Sequence, residues 1–286
     1  MAMTIQAWKV ETVALLKGAG LDSTADLDAR LLLQQATGFD QGKQILFFNQ
    51  PLTDAQLESL GSLRKARLDY KPMAYILGHK EFYGRDFLVD ERVLIPRADT
   101  ETLIEAVLAY AKDKSGKPSI IDVCTGSGCI GITLALELGS VVTLSDLSEG
   151  ALAVAQENAL RLVPRPLTFL QGDLLSPADE IYDIIVSNPP YLTASWCDEV
   201  APEVQWEPRM ALEGFCMDGL ELIRTLVKES RDHLAVGGAL FLECDYRQAK
   251  AVGQLLAANR FTNVCIEKDL AGRERVVWGV LACTNS

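Results

Sequence analysis

The chain has 286 residues, 49% of them hydrophobic and 23% charged, a balance that suits a globular protein with a large core and excludes a disordered one. It carries 27 Lys and Arg against 39 Asp and Glu, for a net charge of −12, and the imbalance lies mostly in residues 96–286, which hold 16 against 27. So acidic a larger part argues against tracking nucleic-acid phosphates, and the sequence shows neither a signal-peptide pattern nor a membrane-length apolar run; no DNA binding, no membrane association and a cytoplasmic location are expected.

In chain order, residues 1–75 predict a small helical bundle. One helix covers the run that contains Leu27 and Leu31 and stops at Gly38; another runs from Thr53-Asp54 through Leu57, Leu60 and Leu63 to Arg67. Short amphipathic helices are stable only against one another, hence the bundle. The basic run Arg64-Lys65-Ala66-Arg67, with Lys71 nearby, fits a solvated helix face better than a nucleic-acid patch. Residues 76–97 predict a β-hairpin connector, alternating from Glu81 to Val89 about a turn at Gly84. From 98 onward helices and strands alternate. A helix capped by Asp99 or Thr100 puts Leu103, Ile104, Val107 and Leu108 on one face, and another spans Ser148 to Leu162. Strands are expected at 120–123, 141–144, 167–170, 184–186 and 239–242, with a closing antiparallel pair at 263–267 and 275–281. This alternation predicts right-handed crossovers and an α/β fold with a mostly parallel sheet covered on both faces. The seven cysteines include no CxxC pair, and only His79 and His233 accompany them, so reduced, mostly buried thiols and no metal site are expected.

The first strand runs into Asp122-Val123-Cys124-Thr125-Gly126-Ser127-Gly128-Cys129-Ile130-Gly131. Gly126, Gly128 and Gly131 fit GxGxxG, and Asp146, 20 residues beyond Gly126, ends the second strand where a carboxylate accepts from ribose hydroxyls. Spacing alone leaves a nicotinamide dinucleotide, S-adenosylmethionine or a turn without a ligand all open. Asn188 discriminates among them. It begins Asn188-Pro189-Pro190-Tyr191 after the apolar run Tyr182–Val186, and the two prolines stiffen the chain while removing two N–H donors. A conjugated NH2 is a poor nucleophile, but two acceptors in line with its N–H bonds fix it and aim its remaining orbital. The Asn188 side-chain oxygen and the Pro189 carbonyl supply such a pair, and Tyr191 supplies a flat ring. Orientation of this kind removes up to about 7–11 kcal/mol from a barrier. Hydride transfer has no use for the arrangement, whereas methyl transfer to a carboxamide or a ring amine does.

On these residues the chain resembles the release-factor glutamine methyltransferases. The resemblance covers nearly its whole length: the helical N-terminal part, Tyr75–Gly84, Val93-Leu94-Ile95-Pro96-Arg97-Ala98-Asp99-Thr100-Glu101, the Thr125–Gly128 turn, NPPY, Glu207-Pro208, and Lys268–Arg275. It implies a Rossmann-like, S-adenosylmethionine-dependent methyltransferase fold, a mostly parallel seven-stranded sheet with an antiparallel last strand, preceded by an all-α bundle. Residues 1–75 would dock the substrate, 76–97 would connect, and 98–286 would hold the cofactor and catalyse. The implied reaction is methylation of the side-chain amide nitrogen, N5, of the glutamine in the Gly-Gly-Gln motif of class 1 release factors. Carried over by position, Thr125, Gly126, Ser127, Gly128, Asp146, Leu174 and Asn188 contact S-adenosylmethionine, and Asn188, Pro189, Pro190 and Tyr191 contact substrate. Among these, Asn188, Pro189 and Tyr191 act in catalysis. A ribosomal-protein glutamine and adenine N6 remain as alternative acceptors of the same clamp. Three departures stand out: Cys124 replaces a usual glycine and would tighten the cofactor turn, Ala98-Asp99 replaces Pro-Glu, and Glu243-Cys244-Asp245 replaces Glu-Ile-Gly.

Overall fold

Thr4 starts the first helix by accepting from the Ala7 amide at 3.2 Å, and Thr53 starts the fourth with a capping box in which Gln56 answers reciprocally. The computed structural model describes residues 2–112, 114 and 116–283, in two compact units: Met1–Gly78 with Pro202–Trp206, and His79–Ala201 with Glu207–Ser286.

The first unit holds helices α1 (Ile5–Gly18), α2 (Ala25–Thr37), α3 (Gln41–Leu46), α4 (Asp54–Leu68) and α5 (Met73–Leu77). Helix α2 stops at Gly38 as expected, in the left-handed region at φ 70°. Ile5, Trp8, Leu32, Leu33 and Leu60 meet in its core. The basic run on α4 is not simply a solvated face. Arg67 is 2% exposed, its Nε donates to Asp28 Oδ2 at 2.7 Å, and its Nη2 pairs with Glu203 Oε1 at 2.5 Å. The countercharge on α2 is what permits a guanidinium inside the bundle. Glu203 belongs to the short returning segment, which Trp206 also fastens by donating to the Asp69 carbonyl at 3.1 Å.

The second unit begins with a hairpin of β1 (His79–Phe82) and β2 (Arg85–Leu88), turned by Tyr83 and Gly84, both at positive φ. Then follow α6 (Glu101–Lys112), β3 (Ile120–Val123), α7 (Cys129–Leu138), β4 (Val142–Asp146), α8 (Glu149–Leu162), β5 (Thr168–Gln171), β6 (Tyr182–Ser187), α9 (Ala194–Asp198), α10 (Glu221–His233), β7 (Leu234–Glu243), α11 (Ala249–Ala258), β8 (Phe261–Lys268) and β9 (Glu274–Leu281). The sheet order is β5-β4-β3-β6-β7-β9-β8, parallel except for β9, which is antiparallel to both neighbours. Alternate residues divide between two cores. Ile120, Ile184 and Val186 pack with α6, α7 and α8, while Ile121, Ile185 and Leu240 pack with α10 and α11.

Two expectations are corrected. Strand β7 begins at Leu234 rather than Ala239, because Gly237-Gly238 interrupts the apolar pattern while the strand continues through an irregular pairing with β6. The thiols are free but not mostly buried: Cys129, Cys197 and Cys244 are, Cys124 and Cys265 are half-buried, and Cys216 and Cys283 are exposed. No helix among the described residues is long and apolar enough to cross a membrane.

Candidate functional site

Register assembles the site. Strand β3 lies between β4 and β6, with Val123 opposite Ser145 on one side and Ser187 on the other. The residues that follow these three positions, Cys124, Asp146 and Asn188, therefore leave the carboxyl edge of the sheet side by side. Strand order reverses here, which opens a crevice above the edge. Ser187 also pairs with Leu242, which brings Glu243 beside Asn188.

The glycine turn is shaped by its backbone. Gly126 has φ 55°, its N–H donates to Asp146 Oδ2 at 2.9 Å, and a Cβ built on it would meet nothing within 4 Å. It keeps space open for a ligand. Gly128, at φ 81°, serves packing instead: a Cβ there would lie 2.8 Å from Ile132 Cδ1 and 3.2 Å from Ala155 and Leu144. Asp146 also accepts from the Ser148 amide at 2.9 Å, and each of its oxygens keeps a further lone pair for a hydroxyl. Burial pushes this carboxyl up, against the backbone N–H bonds that stabilise its anion. Asp122 beneath the turn is wholly buried; burial pushes it up to about 7 although Thr125 and the Gly131 amide donate to its Oδ2 at 2.5 and 2.9 Å. Cys124 holds a left-handed backbone at φ 60°, which carries strain for a residue with a side chain, and burial pushes its thiol up, away from reactivity.

In the loop after β6, Pro189 and Pro190 are buried and Asn188 is half-buried. Asn188 Nδ2 donates to Thr100 Oγ1 at 3.4 Å, while no described residue hydrogen-bonds its Oδ1. The Tyr191 hydroxyl donates to Glu243 Oε1 at 3.4 Å, and its backbone carbonyl accepts from Gln248 Nε2 at 2.8 Å. Glu243 is 2% exposed; burial pushes it up to about 7, opposed by the Thr100 hydroxyl and by Arg275. Arg275 in turn pairs with Asp99 and Asp269, each at 3.2 Å. Asp99 and Thr100, expected as helix caps, thus serve this cluster.

A cavity of about 300 Å³ opens between the two loops, at the small end of the usual range for ligand sites. Of the expected residues, Thr125, Gly126, Ser127, Asp146, Leu174, Asn188 and Pro190 line it, whereas Gly128, Pro189 and Tyr191 stand outside its wall. The open turn, the carboxylate with spare lone pairs and the apolar wall fit a nucleoside carrying a cationic head.

Residues 8–78 match the PrmC N-terminal domain and residues 99–204 the methyltransferase small domain. The chain is 40% identical over 264 residues to the release factor glutamine methyltransferase of Neisseria gonorrhoeae, an overlap of 91% of this chain and 95% of that relative. It belongs to the release factor glutamine methyltransferase family. Solved structures share the fold at low identity. A methyltransferase from Pyrococcus furiosus has a TM-score of 0.54 at 17% identity, covering 78% of this chain and 100% of its own. The 16S rRNA N2 G1207 methyltransferase of T. thermophilus, in complex with AdoMet and guanosine, has 0.51 at 16%, covering 71% and 49%.

In this family member the cavity wall also includes Pro96, Arg97, Thr100, Pro208, Met210 and Phe215. Spacing offered no signal for them, although 93–101 and 207–208 are among the segments that carry the resemblance. Their juxtaposition has a local cause: Glu207 accepts from the Ile95 amide at 3.1 Å and pairs with Arg97, clamping one segment to the other.

Proposed function

We propose that the protein methylates the side-chain amide nitrogen, N5, of the glutamine in the Gly-Gly-Gln motif of class 1 release factors. The observation that carries this is the Asn188 carboxamide, whose Nδ2 donates to Thr100 while no described residue hydrogen-bonds its Oδ1. A carboxamide oxygen accepts from any N–H or O–H donor; what it adds for a planar NH2 is a fixed plane, which a conjugated nitrogen needs before its remaining orbital can be aimed. The Pro189 carbonyl is taken as the second acceptor, in a loop whose two prolines keep it from extending the sheet, although Pro189 itself stands outside the cavity wall. Thr125, Gly126, Ser127, Asp146 and Leu174 would hold S-adenosylmethionine, with ribose hydroxyls on Asp146. When bound, that cofactor supplies a methyl carbon activated by a positive sulfur. The chain's own contribution is orientation and a dry wall of Pro96, Pro190 and Pro208, with one N–H proton leaving the nitrogen in the overall balance.

The helical unit is proposed to dock the release factor. Ile45, Leu46, Phe47 and Phe48 stand exposed in succession there, which suits contact with a protein surface. A cytoplasmic location follows from a substrate that works in translation. The direct test incubates the protein with a labelled methyl donor and a release factor. Label is expected on the factor and absent from one whose motif glutamine is replaced by asparagine. Equal labelling of both, or label on added RNA instead, contradicts the assignment.

A further inference from the structure

S-adenosylmethionine is a zwitterion as well as a sulfonium: its amino-acid arm ends in a carboxylate. The cavity wall holds Asp146 and Asp173, in a region with 16 Lys and Arg against 27 Asp and Glu, and such a wall repels an anion unless a cation is set into it. Two guanidiniums line the cavity, and they differ in what they have left to give. Arg92 is committed to a neighbour in the chain, its Nε donating to both oxygens of Asp90 at 2.9 and 3.0 Å. It also lies at the ribose end: a Cβ built on Gly150 would sit 3.4 Å from its Cδ, and the amide of nearby Ser148 donates to Asp146. Arg97 lies at the other end. Its backbone carbonyl accepts from the Thr100 amide at 3.1 Å, and the Thr100 hydroxyl oxygen accepts from Asn188 at 3.4 Å. A guanidinium has more donors than one carboxylate oxygen can take. Only Nη2 of Arg97 is used, on Glu207, and no described residue accepts from its Nε or Nη1.

We propose that Arg97 receives the carboxylate of S-adenosylmethionine, and so selects the donor that carries an amino acid over nucleosides that lack this anion. The inference rests on the cofactor assigned above. Glu207 makes the receptor. Its side chain is 1% exposed, and it holds the Ile95 amide at 3.1 Å together with Nη2 of Arg97, so the guanidinium is tethered before a ligand arrives and loses little freedom on binding. The ion pair is neutral as a whole. What it offers a second carboxylate is directed N–H donors, strengthened by the charge they carry and by two apolar neighbours, Pro96 beside Arg97 and Pro208 beside Glu207, both in the cavity wall. The carbonyl oxygen of the substrate glutamine is a competing acceptor at this end of the cavity. A cation placed on it would draw the amide nitrogen's lone pair deeper into the conjugated group and oppose methyl transfer, whereas the donor's carboxylate takes no part in the bonds that change.

The experiment measures calorimetric Kd for S-adenosylmethionine and for its decarboxylated form, which keeps the nucleoside, the sulfonium and the amine, in wild type and in Arg97→Met. Wild type should bind S-adenosylmethionine about tenfold more tightly, the scale of one charge-assisted hydrogen bond. Arg97→Met keeps an unbranched apolar stem and removes the donors; it should lose that preference while its Kd for the decarboxylated form stays within about twofold of wild type. Equal binding of the two ligands by wild type overturns the proposal, and this comparison needs no variant to fold. A preference that survives in Arg97→Met overturns it as well, and so does an equal loss for both ligands, which would make Arg97 a brace for the wall and nothing more. Wild type that binds neither ligand overturns the cofactor assignment and this proposal with it. The predicted preference, found together with a methyl on an atom other than the glutamine nitrogen, supports this proposal and overturns only the reaction assigned above.

Discussion

The two loops that frame the cavity are built by opposite means. The turn after β3 works by leaving things out: Gly126 keeps a space clear, and its conformation, its N–H and the spare lone pairs of Asp146 form the surface. The loop after β6 works by filling in. Two buried prolines, a half-buried amide and a ring are backed by a cluster of buried charge that reaches Glu243 and Arg275. A turn shaped by its backbone tolerates changes in what lies behind it, as Cys124 shows by holding a left-handed φ of 60° without a glycine. A loop shaped by side chains depends on residues distant in sequence.

This contrast predicts different failures on each side. Asn188→Ala should cost the most in turnover, about 10²–10³-fold in kcat by the scale of losing one directed hydrogen bond at a reacting group, with cofactor Kd nearly unchanged. Steady-state rates with calorimetry check it, and a defect seen mainly in Kd would erase the distinction between the loops. Gly128→Val forces a β-branched side chain into a left-handed position 2.8 Å from Ile132, and should cost about 2–4 kcal/mol of folding stability in a denaturant titration. Gly126→Ala should instead weaken S-adenosylmethionine about tenfold and stability by only about 1 kcal/mol, because its Cβ enters the ligand's space rather than the core. A larger stability loss at Gly126 than at Gly128 would invert the roles assigned to them.

The smallest expected effect is on stability against pH. Asp122 and Glu243, with ordinary values of 3.8 and 4.5, are both pushed by burial to about 7 in the folded protein. Between those limits the folded state binds more protons than the unfolded chain. Their contribution is therefore fully present below the ordinary values and is lost as pH rises through about 7. Melting temperature should decline over that window, and Asp122→Asn should flatten the decline.

Much of this was legible where the physics is local. Helix α2 ends at Gly38 because the next residue must turn left-handed, and the glycine turn and NPPY announce themselves by residue types that are costly elsewhere. The strands at 120–123 and 184–186 follow from short apolar runs, and their alternation with helices implies the parallel order that brings Cys124 and Asn188 together. What stayed hidden depends on partners far along the chain. Thr100 looks like a cap until Asn188 is found beside it, and Arg67 looks solvated until Asp28 and Glu203 close around it. Glu243 reads as the end of an apolar strand, and only the pairing of Leu242 with Ser187 reveals what it supports. No periodicity encodes such meetings.

The central claim is that Asn188 presents an acceptor to a glutamine NH2. Tandem mass spectrometry of a class 1 release factor after one turnover tests it most directly, using wild type and an Asn188→Ala variant shown by calorimetry to retain the methyl donor. The account predicts one methyl on the amide nitrogen of the motif glutamine with wild type and a severely slowed appearance of it with the variant. A methyl on another atom, or the same methyl at an undiminished rate from Asn188→Ala, would contradict it.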